Sequence, residues 1–329
     1  MLNGVSGNES AVREFIETQI KDYCRIETDN AGNLIAFKKG ARTPEKRVMF
    51  AAHMDEVGFI VTSVTDDGYI KIAPVGGIDA RVMLGTRILF ENGVRGVVSA
   101  VPVHLLKGDE REKIPDFSDM AVDIGAGSRE TAEQAVQQGM TASFDSTYEE
   151  FGQLVKARAI DDRFGCLALI NLIKCELPFD TFFVFTVQEE VGLRGACCAA
   201  YKVEPDIAVV VETTTAADVN GVSGADRVCC LGDGPVVSYM DGRTIYSRRL
   251  YNLAFEAARE SGLKVQTKSK IAGGNDAGAI QRAGSGSEVL AVSLPCRYIH
   301  SPSCTVNKDD MESMEALLKK LCEKLDGIV

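Results

Sequence analysis

Carboxylates and imidazoles directly follow several apolar runs of this chain of 329 residues. Such runs predict buried β-strands, and open α/β sheets bind ligands beyond the carboxyl ends of their strands. The positions concerned are His53 and Asp55 after RVMFAA, Asp161 and Asp162 in ARAIDDRFG, Glu189 and Glu190 after FFVFTV, Glu212 after IAVVV, and His300 in YIHSP. Two of the three histidines of the chain are in this set.

Each acid alone has an ordinary interpretation. Asp161 or Asp162 could cap the helix predicted to follow, and Glu189 and Glu190 could be solvated loop residues. As a cluster, the carboxylates would repel one another unless positive charge lay among them. Two divalent cations would supply that charge, and ligation by imidazole and carboxylate favours Zn²⁺ or a neighbouring transition metal over Mg²⁺ or Ca²⁺.

The adjacent pair Glu189 and Glu190 suggests a division of labour. Neighbouring residues that leave a strand point in different directions, so one glutamate can bind a metal while the other faces the water that the two metals share. We predict that Glu190 is the ligand and Glu189 the general base of a metal-assisted hydrolysis.

These residues are positioned by a predicted α/β fold. Strands alternate with amphipathic helices over residues 1–57 and 154–329, which indicates a mostly parallel sheet flanked by helices. Residues 58–153 instead contain short β-rich runs separated by DDG, GG and NG turns. This segment is predicted to be a small β-barrel-like domain inserted into the α/β domain.

Composition excludes several classes of partner. The net charge is −11 and no basic cluster is present, which argues against nucleic acid binding. The apolar runs are too short to cross a membrane. Ten cysteines without a C-x-x-C pair and an N-terminus without signal-peptide features favour a cytoplasmic protein with reduced thiols.

Four of these motifs, AAHMDEVGF, ARAIDDRFG, VQEEVGLRGA and YIHSP, occur in an order that resembles the M42 family of metallo-aminopeptidases. That family is related to glutamyl aminopeptidases and the tetrahedral TET peptidases. The segments GVSGNE, VGGIDARVMLG, MAVDIGAGS and GGNDAGAI also resemble family sequences at corresponding places, so the likeness extends over nearly the whole chain. It implies a zinc-peptidase-like fold and removal of N-terminal residues from peptides.

The resemblance also implies a role for each site residue. One metal is expected on His53 and Glu212 and the other on Glu190 and His300, with Asp161 bridging both. Glu189 is the expected proton shuttle. The resemblance further implies that the Asp55 carboxylate accepts the N–H of the His53 imidazole, and that a cis peptide bond joins Asp161 to Asp162.

Two positions depart from the family pattern. Glu212 stands where the family often has Asp, so a longer side chain must reach the metal, and Asp218 is a less favoured substitute. Asn275 replaces an expected hydroxyl residue in GGNDAG. The third histidine, His104, lies apart from every motif and is interpreted as a packed structural residue.

The family resemblance implies a homo-oligomer, with dimers that assemble into a tetrahedral dodecamer through the inserted domain. Two other functions stay open: a related two-metal deacylase or carboxypeptidase, and a non-catalytic scaffold on the same fold. A metal-free glycosidase is disfavoured because it would leave His53 and His300 without a role. The sequence does not distinguish Zn²⁺ from Co²⁺ or indicate the preferred N-terminal residue.

Overall fold

The computed structural model describes residues 2–329, apart from the side chain of residue 110. The helices are α1 (Ser10–Ile20), α2 (Arg129–Ala135), α3 (Ile160–Ile173), α4 (Arg194–Val203), α5 (Arg248–Glu260), α6 (Ala277–Ile280) and α7 (Lys308–Leu325). The strands are β1 (Arg25–Thr28), β2 (Leu34–Lys38), β3 (Val48–His53), β4 (Gly58–Val64), β5 (Ile70–Val75), β6 (Arg87–Phe90), β7 (Arg95–Ser99), β8 (Ala121–Asp123), β9 (Thr141–Phe144), β10 (Glu149–Phe151), β11 (Leu154–Ala157), β12 (Thr181–Thr186), β13 (Ile207–Thr215), β14 (Val236–Val237), β15 (Glu288–Cys296) and β16 (Cys304–Asn307).

A seven-stranded sheet with the order β1-β2-β12-β3-β13-β15-β14 forms the centre of the protein. The four inner strands, β12, β3, β13 and β15, run parallel, whereas β1, β2 and β14 pair antiparallel at the edges. The predicted α/β fold is confirmed. Parallel inner strands end at the same edge of the sheet, so the polar residues that follow them meet there.

Helices cover both faces of this sheet. In β3, Phe50 packs in the core under α1, α3, α5 and α7, while Met49 and Ala51 face the core that includes α4 and α6. Because both faces of the inner strands are buried, these strands appear in the sequence as continuous apolar runs rather than as alternating patterns.

A closed barrel with the order β4-β5-β8-β7-β6-β9 lies within residues 58–153, as predicted. Its core includes Phe59 and Phe144, whose rings meet edge to face at 5.2 Å. The next strand, β10, pairs with β11, which pairs with β16, in a separate three-stranded sheet. The division of the chain at residues 57/58 and 153/154 stays a prediction.

Within residues 2–329, no helix combines the length and the apolar character that a membrane crossing requires. The ten cysteines are free thiols in this structure.

A buried carboxylate ties the ends of β3 and β12 together. Asp55 accepts the backbone N–H of Glu189 at 3.0 Å through Oδ1 and that of Glu190 at 3.2 Å through Oδ2. The Ser6 hydroxyl also donates to Oδ2, at 2.6 Å. Burial alone would raise the pKa of Asp55, but His53 and these donors hold it below its usual range. Asp55 therefore fixes the backbone of the segment that carries both glutamates.

We predict that Asp55→Ala loosens this segment selectively. Each hydrogen bond to a buried charged group contributes about 1.5–3 kcal/mol, so the loss of two should accelerate amide hydrogen exchange in residues 187–192 by at least about tenfold. Exchange measured by mass spectrometry on peptides that cover this segment checks the prediction.

Asp310 provides the matched control. It is also buried and accepts two backbone N–H groups, from Gly232 at 2.7 Å and Gly234 at 2.8 Å. Asp310→Ala should destabilise the protein without changing exchange in residues 187–192. Equal exchange of this segment in both variants would contradict the role assigned to Asp55.

Candidate metal centre

The predicted site residues converge at the carboxyl edge of the inner strands. The side chains line one cavity of about 230 Å³ and come from β3, β13, the turn after β12, the start of α3 and the loop between β15 and β16. In chain order they are His53, Asp161, Glu189, Glu190, Glu212 and His300. Asp55 lies next to the cavity, beneath the turn that carries the two glutamates, and does not line it.

The sequence suggested that Glu212 follows the end of its strand, but it lies within β13. Strand β13 continues to Thr215, in parallel register with β15. Its pairing with β3 ends at Val210, opposite Ala51. From Glu212 onward β13 therefore no longer pairs with β3. The Glu212 carboxylate reaches the cavity from within the strand.

Asp161 lies between the two histidines. Its Oδ1 is 3.2 Å from His53 Nε2 and its Oδ2 is 3.3 Å from His300 Nε2. One carboxylate thus presents one oxygen to each imidazole, which is the arrangement that a bridging ligand requires.

A second carboxylate faces each imidazole. Glu212 Oε1 is 3.3 Å from His53 Nε2, and Glu190 Oε2 is 3.2 Å from His300 Nε2. Two atoms bound to one Zn²⁺ at tetrahedral angles, with bonds of about 2.0–2.2 Å, are about 3.3–3.6 Å apart. The observed separations of 3.2–3.3 Å are close to this range at both imidazoles. The ligand atoms of Asp161, Glu190 and His300 also lie within 4.8 Å of one another, as do those of His53, Asp162 and Glu212.

Buried negative charge is in excess in this cluster. Burial raises the pKa of Glu212 to about 8 and raises the pKa values of Glu189 and Asp162 well above the usual range. Glu190 Oε1 and Asp162 Oδ2 are buried and have no hydrogen-bond partner among the described residues. Such oxygens are costly to bury unless a cation or a donor approaches them. The donor set fits divalent cations with imidazole and carboxylate ligands.

The same acids act on the histidines. Burial alone would lower the pKa of His300, but Asp161 and Glu190 raise it to about 11. For His53 burial also opposes the shift, yet Glu212, Asp161 and Asp55 raise its pKa well above the usual range. The pocket is therefore built to hold positive charge where the two imidazoles meet the carboxylates.

Carbonyl oxygens orient both imidazoles. His300 Nδ1 donates to the Gly77 carbonyl at 2.8 Å, and His53 Nδ1 lies 3.0 Å from the Asp55 carbonyl. The Asp55 carboxylate, which the family resemblance pointed to, is the more distant partner at 3.4 Å. Both contacts direct Nε2 into the cavity. Gly77 follows β5, so the barrel supplies one of these two supports.

The adjacent aspartates have different environments. Asp161 and Asp162 are joined by a cis peptide bond, as the family resemblance implied. Asp161 and Asp162 have non-helical backbone angles within the span of α3, and Asp162 Oδ1 accepts the Gly165 backbone N–H at 3.0 Å, so it caps the regular part of the helix that follows. Asp161 instead faces the histidines. A Cβ at residue 165 would lie 2.3 Å from Asp162 Oδ2, so this cap requires glycine at that position.

Three other residues were considered from the sequence, namely Asp218, Asn275 and His104, and only Asn275 lines the cavity. Asp218 does not line the cavity and pairs with Arg297 at 2.6 Å. Asn275 lines the cavity and donates to the Tyr246 hydroxyl at 3.1 Å. His104 is exposed in a short 3-10 turn, so its interpretation as a packed residue was wrong. An isolated histidine in a loop offered no signal for its exposure.

Three buried polar groups around the cluster were not singled out from the sequence. Asp276 accepts the Thr186 hydroxyl at 2.5 Å, and burial raises its pKa to about 7. Glu56, three residues after the end of β3, is paired with Arg158 at 2.9 Å. Lys268 lines the cavity itself and is only 8% exposed. The motif GGNDAG could have pointed to Asp276, but nothing in the sequence marks Lys268 as buried.

Comparisons with known proteins support the motif resemblance. Residues 32–317 match the model of the M42 glutamyl aminopeptidase family. A putative aminopeptidase of Acetivibrio thermocellus is 38% identical, covering 97% of this chain and 95% of its own. The lysyl aminopeptidase of Pyrococcus furiosus is 33% identical, covering 98% of this chain and 94% of its own. The glutamyl aminopeptidase of Lactococcus lactis subsp. cremoris is 32% identical, covering 99% of this chain and 94% of its own.

Solved structures agree with these relatives. A TET aminopeptidase from a marine sediment archaeon of the Thaumarchaeota superposes with a TM-score of 0.93 at 32% identity, covering 99% of this chain and 95% of its own. The TET1 peptidase of Pyrococcus horikoshii gives a TM-score of 0.86 at 36% identity, covering 98% of this chain and 96% of its own. The family resemblance of the motifs is thereby confirmed. Because the family model and these relatives extend over nearly the whole chain, the protein belongs to the M42 glutamyl aminopeptidase family of metal-dependent peptidases.

Proposed function

We propose that this peptidase removes N-terminal residues from peptides with two divalent cations, Zn²⁺ or Co²⁺, and that Glu189 acts as its general base. The observation that carries the proposal is the position of Asp161, with one carboxylate oxygen at 3.2 Å from His53 and the other at 3.3 Å from His300. A single-metal site does not need a carboxylate that is shared in this way.

Five residues would hold the ions. His53 and Glu212 belong to one site, His300 and Glu190 to the other, and Asp161 to both. When bound, such a pair lowers the pKa of a shared water and polarises the carbonyl group of the scissile peptide bond. Imidazole ligands favour Zn²⁺ and Co²⁺ over Mg²⁺ and Ca²⁺, and both favoured ions accept this donor set.

Glu189 differs from Glu190 in a way that suits proton transfer. The Glu190 carboxylate faces His300, whereas Glu189 forms no ion pair with either histidine. A carboxylate oxygen of Glu189 nevertheless lies within 4.8 Å of the nearest potential metal-binding atoms of His53 and Glu190. The Glu189 carboxylate thus lies close to the proposed ions without facing an imidazole, which leaves it available to exchange a proton with water. In the proposed reaction its carboxylate takes a proton from the attacking water and passes it to the amine that leaves.

The charge of the cluster suits a free amino terminus. Five carboxylates, those of Asp161, Asp162, Glu189, Glu190 and Glu212, surround the proposed ions, against one lysine in the cavity wall, Lys268. An α-ammonium group is attracted to such a site, while an acylated amino group is not. This excess favours an aminopeptidase over the deacylase alternative.

We further propose that residues 58–153 mediate assembly into a closed homo-oligomer of dimers, with a tetrahedral dodecamer as the expected form. The Pyrococcus horikoshii relative can assemble into a tetrahedron or a large octahedral shell. In this chain Val101, Val103, Leu105 and Ile114 are more than half exposed, which suits an interface. A cytoplasmic location stays a prediction, with which ten free thiols are compatible.

We expect chelation to abolish peptidase activity. Dialysis against EDTA should remove both ions and leave the fold intact, and refilling with Zn²⁺, Co²⁺ or Mn²⁺ should restore activity when two ions per chain are bound. Cleavage of aminoacyl p-nitroanilides and elemental analysis of the same samples check this. Full activity in metal-free protein, or with one ion per chain, would contradict the two-metal proposal.

We expect Glu189→Gln to reduce kcat by about 10²–10⁴-fold, the contribution typical of a general base, while two ions stay bound. Glu190→Gln is the matched comparison at the next residue, and it should lose one ion as well as activity. Kinetics and elemental analysis of both variants give the answer. An active Glu189→Gln protein that binds less metal would reverse the two assignments.

We expect light scattering to give a mass about twelve times the 35.5 kDa of one chain. Leu105→Asp should lower this mass because it places charge in the proposed interface, whereas Tyr201→Asp, at an exposed position on α4, should not. A wild-type protein with the mass of a single chain at micromolar concentration would rule out the assembly.

A further inference from the structure

Two cysteines flank the loop that carries His300. Cys296 is the last residue of β15, and Cys304 is the first residue of β16. Both side chains are buried. Residues 297–303, which lie between them, include the proposed metal ligand His300. A covalent link between the two thiols would therefore act directly on the position of this ligand.

The two thiols are neighbours in space. Reciprocal backbone hydrogen bonds of 2.9 Å join Arg297 to Thr305 in antiparallel register. Cys296 and Cys304, which precede this pair in their two segments, are therefore diagonal neighbours on one face of the ladder. Their thiols interact, because burial and the Cys304 thiol raise the pKa of Cys296 well above its usual range.

Cys304 also adjoins the candidate metal centre. It lines a small cavity of about 10 Å³ together with Asp161, Glu190 and His300. The same three residues line the larger cavity of about 230 Å³. Among the described residues, Cys304 is the one cysteine that lines either cavity. A small oxidant that enters the metal centre therefore meets Cys304 before any other cysteine.

Each thiol helps to hold the loop in its present form. Cys296 Sγ donates to the Arg297 carbonyl at 3.3 Å, and Cys304 Sγ donates to the Ser301 carbonyl at 3.6 Å. His300 itself has a φ of 58°, in the left-handed region that residues with a side chain seldom adopt. These contacts and the backbone pair restrain a loop conformation that His300 does not favour by itself.

We propose that hydrogen peroxide oxidises Cys296 and Cys304 to a reversible disulfide, which displaces His300 and empties the cation site of His300 and Glu190. This inference rests on the two-metal centre proposed above. The Cys304 sulfur first attacks one peroxide oxygen, so the O–O bond breaks and a sulfenic acid and water form. The Cys296 sulfur then attacks the sulfenic sulfur, and the S–S bond forms as a second water leaves. Two thiols thus lose two electrons and two protons, and the peroxide is reduced to two waters.

The geometry explains why this bond would change the site. Diagonal neighbours across a ladder have Cα atoms about 7–8 Å apart, whereas a disulfide requires about 4.4–6.8 Å, so the two segments must move together. The bond also removes both S–H groups that donate to the loop carbonyls. Both changes act at the ends of the loop, so His300 Nε2 leaves its position beside Asp161 and Glu190.

The test exposes the Zn²⁺-loaded protein to hydrogen peroxide, since Zn²⁺ has no redox chemistry of its own. Trypsin cleaves after Arg282, Arg297 and Lys308, so mass spectrometry would detect the disulfide as peptides 283–297 and 298–308 joined together. We expect this linked pair and a fall from two bound ions to one. Activity should fall at least about tenfold, the typical cost of misorienting a metal-binding histidine. A phosphine reductant followed by Zn²⁺ should reverse all three changes.

Cys296→Ser and Cys304→Ser each remove one partner of the bond. In both variants the linked peptides should be absent, and peroxide should leave the Zn²⁺ content nearly unchanged. Cys322→Ser is the matched control, because Cys322 is also buried but lies on α7 and lines neither cavity. Peroxide should remove one ion from this variant as it does from wild type.

The outcomes separate this inference from the proposed function. If untreated wild type cleaves no peptide, the aminopeptidase proposal fails, whereas the linked peptides and the Zn²⁺ content still decide the role of the cysteines. If peroxide yields no linked peptides in wild type, or yields them without loss of Zn²⁺, the inference is wrong. Equal loss of Zn²⁺ in wild type and in both serine variants would trace the damage to another site and overturn it as well.

Discussion

Buried negative charge is the constraint on which this site depends. Asp161 gives one oxygen to each of two imidazoles, and further carboxylates close around the same point. In a medium of low dielectric constant these acids repel one another, and Glu190 Oε1 and Asp162 Oδ2 have no hydrogen-bond partner among the described residues. The fold must therefore hold the carboxylates together until cations bind, and the binding energy of the cations offsets that repulsion.

The fold meets this demand with supports that are not themselves candidate ligands. Parallel inner strands bring His53 and the turn after β12 to one edge of the sheet. Asp55 then fixes the backbone of Glu189 and Glu190 through two buried hydrogen bonds. The barrel contributes as well, because the Gly77 carbonyl orients the imidazole of His300. Residues 58–153 thus belong to the geometry of the cavity, in addition to any role in assembly.

The sequence predicted the parts of the site that depend on strand ends, since an apolar run that stops at an acid is visible without a structure. It misplaced Glu212, because the length of β13 is set by its pairing with β15, which local sequence does not encode. It missed β14, which consists of only Val236–Val237. It also missed Lys268, because TKSK is typical of an exposed loop and only tertiary packing buries one of its two lysines.

Anomalous diffraction from crystals of the protein loaded with Zn²⁺ or Co²⁺ tests the central claim most directly. We expect two peaks per chain, about 3.5–4 Å apart, with Asp161 bound to both ions and one histidine bound to each. A single peak, or two ions without Asp161 as a common ligand, would contradict it.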